Sequence, residues 1–324
     1  MNNERYAVSL PGLELKNPFM PSSGSYYYGL DHIDDFDLNE LGALVLKTTT
    51  ISPRKGNPQP WKIQTKAGVL NSVGLANPGM AAVKADFLPK LATALPDLPK
   101  MLSISGETAA EFEELATIIE QIPSISAIEL NLSCPNVDEG GRAFGVTAEG
   151  ITAAVSAVRA VTTKAIYAKL SPNVTDIKPL AIAAEKAGAD GLTMVNTLVG
   201  MSLDLMNRSV RLYRGKGGLS GQAIHPIAVE LIWEAASVVD IPIIGVGGVT
   251  TIDDALELMM AGASAVQVGI MNSEDPLFLP KLIKQLPAAL DKYHFETVVD
   301  VTHALHPLMD NEDEWVKYQE KFQQ

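Results

Sequence analysis

Residues 166–195, IYAKLSPNVTDIKPLAIAAEKAGADGLTMV, carry the pattern that decides the fold of this chain. A short apolar run ends at Leu170, apolar residues at helical spacing follow over 177–189, and a second apolar run begins at Gly191. Two such runs joined by a helix are typical of parallel strands, because parallel pairing requires a long crossover connection. The stretch therefore predicts one strand–helix–strand unit.

The same alternation extends in both directions along the chain. Eight strands are predicted, at Pro18–Ser22, Ala43–Lys47, Met101–Ser105, Ala127–Asn131, Ile166–Leu170, Gly191–Val195, Pro242–Val246 and Ala265–Val268. Helical spacing lies between most of them, at 109–122, 147–162, 177–189, 225–239 and 251–263. Eight parallel strands with helical crossovers predict a (β/α)8 TIM barrel of the α/β class. A doubly wound open sheet is the alternative, and it is less favoured because no G-x-G-x-x-G sequence follows an early strand.

The chain is predicted to form one domain over residues 1–324, because no linker or low-complexity segment interrupts it. Residues 48–80 are rich in Pro, Gly and Asn, and residues 198–222 are rich in Gly and Arg. Both are predicted as long loops at the catalytic face of the barrel. The final sequence EDEWVKYQEKFQQ (312–324) is predicted as a solvated terminal helix.

Composition excludes several classes of protein. The 25 Lys and Arg residues stand against 38 Asp and Glu, a formal charge of −13, which argues against nucleic-acid binding. The single cysteine, Cys134, leaves no intrachain disulfide and no cysteine metal cluster, and a reducing compartment is expected. The first residues lack a signal-peptide pattern, and no apolar run is long enough to cross a bilayer. A cytoplasmic location is therefore expected.

Polar residues or glycines follow nearly every predicted strand. They are Ser22, Ser23, Lys47, Thr48, Ser103, Ser105, Asn131, Lys169, Asn196, Thr197, Gly247, Gly248 and Gly269. The carboxyl ends of barrel strands meet at one face, so these residues should converge there. Burying so many polar groups is costly unless a ligand satisfies them, which predicts a site for a polar ligand.

Two lysines and a glycine-rich segment stand out among these strand ends. Lys47 and Lys169 end apolar runs (ALVLK and IYAKL), so buried functional roles are favoured over surface positions. Cations there could stabilise an anionic reduced flavin or pair with a substrate carboxylate. A cofactor-free lyase that uses Lys169 as a Schiff base is the competing hypothesis. The segment GVGGV (245–249) offers unobstructed backbone amides that can cradle a phosphate.

Cys134 and the histidines are assigned different kinds of role. A lone cysteine is usually a small buried hydrophobe, but the neighbours of Cys134 in NLSCPNV (131–137) are poor core residues. Its position beyond a strand end favours a function, and a thiol with a pKa of about 8.5 can accept a proton near neutral pH. None of the histidines has metal-ligand spacing with carboxylates, so structural or surface roles are assigned to His32, His225, His294, His303 and His306.

Several segments together resemble the class 1 dihydroorotate dehydrogenases. The resemblance runs from LPGLELKNPFMPSSG (10–24) to AGASAVQVGI (261–270). It rests on KTTT (47–50), NSVGLANPGM (71–80), NLSCPNV (131–137), KLSPNVTDI (169–177), MVNTL (194–198), GGLSG (217–221) and IIGVGGV (243–249). The membrane-bound class 2 enzymes differ, because they have Ser at the position of Cys134 and an additional N-terminal helical segment.

The resemblance implies a role for each matching residue. FMN would lie over the barrel mouth, in contact with Ser23, Lys47, Thr48, Ser103, Asn131, Lys169, Val195, Gly221, Gly247, Gly248, Gly269 and Ile270. Dihydroorotate or orotate would be bound by Lys47, Asn71, Ser72, Val73, Gly74, Leu75, Asn131, Asn136, Asn196 and Thr197. Cys134 would be the general base that takes a proton from C5, while a hydride leaves C6 for flavin N5. Residues around Cys134 would act as a lid, with Gly140 and Gly141 supplying flexibility.

The resemblance also indicates a subclass. The motifs GGRAFG (140–145), KLSPNVTDI, GLTMVNTL and GGLSG are similar to the NAD-linked class 1B catalytic subunit of pyrimidine biosynthesis. In that form the catalytic chain is a homodimer, and it associates with a different subunit that carries FAD and an iron–sulfur cluster. SYYYG (25–29) and Ser103 depart from this pattern, as do Val73 and Ile270 more conservatively, so the fumarate-linked class 1A homodimer is the alternative. A non-catalytic binding subunit is disfavoured by the full set of site residues.

Overall fold

The computed structural model describes residues 3–132, 144–305 and 315–316. Its strands are β1 (Val8–Leu10), β2 (Leu13–Leu15), β3 (Phe19–Pro21), β4 (Leu44–Thr49), β5 (Lys62–Thr65), β6 (Gly68–Asn71), β7 (Lys100–Ile104), β8 (Ala127–Asn131), β9 (Ala165–Lys169), β10 (Gly191–Met194), β11 (Leu198–Met201), β12 (Leu203–Asp204), β13 (Ser209–Val210), β14 (Lys216–Ser220), β15 (Ile243–Val246) and β16 (Ala263–Val268). Its α-helices are α1 (Met80–Ala82), α2 (Leu88–Ala94), α3 (Ala109–Glu120), α4 (Ala148–Arg159), α5 (Lys178–Lys186), α6 (His225–Ala236), α7 (Ile252–Met260), α8 (Ile270–Glu274) and α9 (Phe278–Lys292).

Eight parallel strands form a nearly closed barrel, in the hydrogen-bonded order β3-β16-β15-β10-β9-β8-β7-β4. A backbone hydrogen bond of 2.9 Å from Gly42 N to Phe19 O links the segments of the first and last strands of this order. The predicted (β/α)8 TIM barrel is therefore confirmed, and the doubly wound sheet is wrong. All eight predicted strands are present, with ends that differ by at most two residues, and the five predicted crossover helices are α3 to α7.

Each crossover helix buries one face against the barrel. In α3, the buried residues Phe112, Leu115, Ala116 and Ile119 recur at the spacing of a single helical face. The Thr108 side chain caps this helix by accepting a hydrogen bond from the Glu111 amide. These local signals explain why the helices could be predicted from sequence.

The N-terminal hairpin β1–β2 lies against the amino ends of the barrel strands. Tyr167 in β9 donates a hydrogen bond of 2.8 Å from its hydroxyl to Pro11 O in the hairpin turn. Gly12 has a φ of +70°, and a Cβ there would lie 2.8 Å from Ala165 Cβ. The close approach requires glycine, and the hairpin leaves only the opposite, carboxyl-terminal face open to a ligand.

The prediction of loops at 48–80 and 198–222 was wrong, because both segments contain antiparallel strands. Strands from the two segments form one sheet in the order β11-β14-β6-β5, and β12 pairs with β13 in a separate hairpin. Residue pairs such as Asn71 and Gly218 are far apart in sequence, so their pairing leaves no local signal. A high glycine content lowers the propensity of a segment to form strands. Here glycine allows β14 to approach Thr197 closely, because a Cβ at Gly218 would overlap the Thr197 side chain.

Three other predictions concern the terminal helix, membrane spans and the number of domains. Most of the predicted terminal helix 312–324 lies outside the described residues. Within it, only Trp315 and Val316 are described, and both are helical. Among the helices in the described ranges, none is both long and apolar enough to cross a membrane. The single-domain interpretation of 1–324 stays a prediction.

Candidate active site

A cleft opens at the carboxyl ends of the barrel strands, where the sequence predicts a polar site. Its lining includes Ser22, Ser23, Lys47, Thr48, Asn71, Leu75, Asn131, Lys169, Val195, Asn196, Thr197, Ser220, Gly221, Gly247, Gly248, Gln267, Gly269 and Ile270. All the predicted flavin contacts are in this set except Ser103, which is fully buried behind the lining. The Ser103 hydroxyl lies 3.0 Å from the Thr48 hydroxyl, so it supports a lining residue.

The predicted substrate contacts divide into three groups. Lys47, Asn71, Leu75, Asn131, Asn196 and Thr197 line the cleft. Within the described chain, the other members of the 71–75 segment, Ser72, Val73 and Gly74, do not line it. Asn136 lies outside the described residues, as do Cys134, Gly140 and Gly141.

Asn57 holds the backbone of part of the 71–75 segment. Its side-chain amide donates to Ser72 O at 3.0 Å, and its backbone amide donates to Val73 O at 2.9 Å. Sequence analysis missed Asn57, because nothing local connects it to a segment 15 residues later. Asn71 stays at the cleft, where its amide group donates to Gly218 O at 3.1 Å.

Amide and hydroxyl groups form a connected row across the cleft. Asn196 Nδ2 donates to Asn131 Oδ1 at 3.3 Å, and Asn131 Nδ2 donates to Thr48 Oγ1 at 3.3 Å. Asn196 itself also receives the Thr197 backbone amide at 2.8 Å. The row fixes the direction of each amide group, so the cleft presents both donors and acceptors at defined positions.

Lys47 lies near the end of β4 and is partly buried in the cleft. Its backbone amide donates to Tyr27 O at 2.8 Å, which fixes the strand at this residue. Burial, together with the nearby charge of Lys169, lowers the pKa of Lys47 to about 8. Among the residues that the structure describes, no carboxylate forms an ion pair with Lys47. An anionic ligand beside Lys47 would therefore raise this pKa again.

Lys169 has partners that sequence analysis missed. Its Nζ donates to Gln267 Oε1 at 3.1 Å and lies 3.7 Å from Glu129 Oε1. Gln267 Nε2 in turn donates to Glu129 Oε2 at 2.8 Å. Glu129 lies two residues before Asn131 in β8, so its position on the same face of the strand was an available signal. The ion pair favours an ammonium group at Lys169, which argues against a Schiff-base role.

The glycines after β15 line the cleft beside the end of β10, where the Val195 amide donates to Val246 O at 2.7 Å. Gly247 and Gly248 have φ values of +149° and +70°, and a Cβ on Gly248 would lie 2.6 Å from His225 Cβ. His225 lies at the predicted start of α6. Its Nδ1 is 2.9 Å from Gly247 O and must be the donor of this hydrogen bond, because a carbonyl oxygen only accepts. The buried imidazole thus holds the glycine segment in place.

His225 also belongs to a group that spacing in the sequence did not reveal. Its Nε2 lies 3.1 Å from Glu257 Oε2, and the ligand atoms of His225, Asp254 and Glu257 lie within 4.8 Å of one another. Asp254 is already engaged, because its Oδ2 accepts hydrogen bonds from the Thr250 and Thr251 amides at the start of α7. The spacing of His225, Asp254 and Glu257 in the sequence therefore did not indicate that the three side chains lie close together in the fold.

The cleft and the barrel together define a (β/α)8 enzyme that accommodates a polar ligand beside a glycine-lined anion cradle. The model of the dihydroorotate dehydrogenase family matches residues 5–290. The chain belongs to the dihydroorotate dehydrogenase family, which is a family of oxidoreductases.

Curated relatives carry names from both class 1 branches. The chain is 47% identical over 297 residues to "Dihydroorotate dehydrogenase B (NAD(+)), catalytic subunit" of Halalkalibacterium halodurans, covering 92% of this chain and 97% of the relative. It is 49% identical over 286 residues to the protein of the same name in Latilactobacillus sakei, covering 88% and 93%. It is also 49% identical over 289 residues to "Dihydroorotate dehydrogenase A (fumarate)" of Lactiplantibacillus plantarum, covering 89% and 95%.

Proposed function

We propose that this chain oxidises dihydroorotate to orotate with bound FMN, as the catalytic subunit of an NAD-linked dihydroorotate dehydrogenase in pyrimidine (UMP) biosynthesis. The observation that carries the proposal is that Lys47, the asparagine amides and the glycines after β15 line one cleft. The length of the match to relatives of that name supports it. The cytoplasm is the proposed location.

Two features of the cleft fit FMN. Side chains on Gly247 or Gly248 would overlap Ala228 or His225, so the bare backbone there is left to surround a phosphate. Lys169 also lines the cleft and would supply a cation to compensate the negative charge of a reduced flavin. The proposed contacts remain Ser23, Lys47, Thr48, Ser103, Asn131, Lys169, Val195, Gly221, Gly247, Gly248, Gly269 and Ile270, with Ser103 acting through Thr48. Bound FMN would supply the hydride acceptor.

The amide row suits a ring that presents amide groups and a carboxylate. Asn71, Asn131 and Asn196 each offer a donor and an acceptor, and Thr197 adds a hydroxyl. Lys47 would pair with the substrate carboxylate and stabilise the charge that develops when C5 loses its proton. Ser72, Val73, Gly74 and Asn136 stay sequence-based assignments to the substrate site.

Cys134 is proposed as the base that removes the C5 proton, with Gly140 and Gly141 in its lid. The support is the sequence NLSCPNV directly after β8, whose last residue, Asn131, lines the cleft. Cys134 follows Asn131 by three residues in the sequence, which supports its assignment to the same site.

The physiological acceptor is proposed to be NAD, reached through a partner subunit that carries FAD and an iron–sulfur cluster. The chain has no dinucleotide fingerprint, and its one cysteine cannot ligate such a cluster, which needs about four ligands. The fumarate-linked function is the second candidate, because one relative carries that name and Ser103 resembles that branch.

A side-by-side assay with dihydroorotate distinguishes the two acceptors. We expect the purified chain to be yellow, to reduce an artificial dye, and to leave NAD and fumarate unchanged. Addition of the partner subunit should then give NAD reduction, since the electrons must leave through that chain. Rapid, saturable fumarate reduction by the chain alone would assign it to the fumarate-linked branch instead.

A homodimer is proposed because one surface is strongly apolar. We call it the apolar hairpin surface: Val199, Met201, Leu203, Leu205, Met206, Val210 and Tyr213, all exposed on and around strands β11 to β13. Leu205 and Met206 are 85% and 92% exposed, and a contiguous apolar surface of this kind is typical of an interface.

Negative charges introduced by substitution on the apolar hairpin surface should dissociate the proposed homodimer. We expect the double variant Leu205→Glu with Met206→Glu to be monomeric by light scattering, because association would bury two carboxylates against apolar groups. Leu277→Glu, an exposed leucine outside the hairpin, is the matched control and should stay dimeric. A wild-type monomer at all concentrations, or a dimer in the double variant, would contradict the proposal.

A further inference from the structure

Glu129 is a fully buried carboxylate that the proposed chemistry does not use. It lies in the middle of β8 with no exposed surface, and it does not line the cleft. One of its oxygens, Oε2, accepts the hydrogen bond from Gln267, while Oε1 has no hydrogen-bond partner in the described chain. A carboxylate is held in such a place only when a cation compensates its charge.

Lys169 is that cation, and two connections join it to Glu129. The direct one is the 3.7 Å approach of Nζ to Glu129 Oε1. The indirect one passes through Gln267, which accepts from Lys169 at 3.1 Å and donates to Glu129 at 2.8 Å. Lys169 is 4% exposed and has few other conformations open to it. The pair therefore fixes both the position and the charge of the ammonium beneath the cleft.

We infer that Glu129 is a positioning residue that acts through Lys169 to set the reduction potential of the flavin, an inference that rests on the proposed binding of FMN. Two lysines, Lys47 and Lys169, face one ligand site, and Glu129 offsets the charge of one of them. Without Glu129, the site carries an additional net positive charge. That charge stabilises an anionic reduced flavin and raises its potential.

The test is a redox titration of the flavin in the variant Glu129→Gln, which keeps the shape and the hydrogen-bond acceptor but removes the charge. We expect the reduction equilibrium to shift towards reduced flavin by at least about tenfold. For a two-electron couple, this raises the potential by about 30 mV. Glu129→Asp should return the potential towards that of the wild type. An unchanged potential in Glu129→Gln would overturn the inference.

Thr193→Val is the matched control. Thr193 pairs with Lys169 in the β9–β10 register and is also fully buried, with a hydroxyl that has no hydrogen-bond partner among the described residues. Its replacement perturbs the same row of the barrel interior without changing charge. A shift in Thr193→Val equal to that in Glu129→Gln would assign the effect to general disturbance of the interior and refute a role for Glu129.

A double-mutant cycle with Lys169→Met tests whether Glu129 acts through the lysine. In the Lys169→Met background the ammonium through which Glu129 is inferred to act is absent, so a change of Glu129 to Gln should shift the potential little. An equal shift in both backgrounds would overturn the proposed route. The same cycle, measured by urea unfolding of flavin-free protein, should show strong coupling between the two positions, and additive effects there would also overturn it.

Failure of a single variant to fold still gives a result. The double variant, Glu129→Gln with Lys169→Met, removes both charges and should then yield more soluble protein than either single variant. A double variant no better than the single ones would refute the pairing. If the wild type binds no FMN, the proposed function fails, whereas the unfolding cycle still tests the pair.

Discussion

Replacement of Cys134 by alanine is expected to lower dihydroorotate turnover by about 10²–10⁴-fold, the usual contribution of a positioned general base. The thiol has the required reactivity near neutral pH, with an ordinary pKa of about 8.5, and it follows a strand whose last residue lines the cleft. The flavin spectrum should be retained, because no proposed flavin contact is altered. Steady-state turnover across pH, at saturating dye, measures the effect.

Cys134→Ser is the informative partner variant. A hydroxyl is a much weaker acid than a thiol, so its turnover should become measurable only as the pH rises. Near wild-type turnover of Cys134→Ala at every pH would show that another group removes the C5 proton. Loss of the flavin spectrum in Cys134→Ala would instead point to a structural role for residues 133–143.

Replacement of Lys47 by alanine is expected to weaken orotate binding by about 10–100-fold. A hydrogen bond to a charged group contributes about 1.5–3 kcal/mol, and each 1.4 kcal/mol corresponds to a factor of ten. Titration of the flavin spectrum with orotate measures the affinity. Lys169→Ala is the comparison, and it should chiefly change flavin affinity or potential, because Lys169 is engaged by Gln267 and Glu129 rather than by the substrate.

The pH dependence of orotate binding gives a second measure of Lys47. Burial and the charge of Lys169 lower its pKa to about 8, so the ammonium form predominates below pH 8 and is lost as the pH rises further. Orotate affinity of the wild type should therefore fall above about pH 8, by up to about tenfold per pH unit. Lys47→Ala should show no such decline. Equal affinity in Lys47→Ala and wild type would remove Lys47 from the substrate site.

The barrel was predictable because its signals are local. Each strand is a short apolar run and each crossover has helical spacing, so the period of hydrophobic residues identifies both without knowledge of the fold. The geometry of the barrel then brings strand ends to one face. For this reason Lys47, Asn131, Lys169, Asn196 and the glycines after β15 could be assigned to one cleft before the structure was known.

Contacts between distant segments were not predictable. The sheet β11-β14-β6-β5 joins segments about 150 residues apart in glycine-rich sequence that reads locally as loop. Asn57 holds the backbone at Ser72 and Val73 from 15 residues earlier in the sequence. Pairing across such distances depends on the three-dimensional approach of backbones, which no periodicity records.

The sequence by itself determined the barrel, the face that carries the site, and the two lysines at its strand ends. Only the tertiary structure decided how those lysines differ. Lys47 has no ion-pair partner in the described chain, whereas Lys169 is compensated by Glu129 through Gln267. The physical reason is that hydrophobic periodicity is set by neighbours along the chain. The charge state of a buried group depends instead on partners that folding brings from other strands.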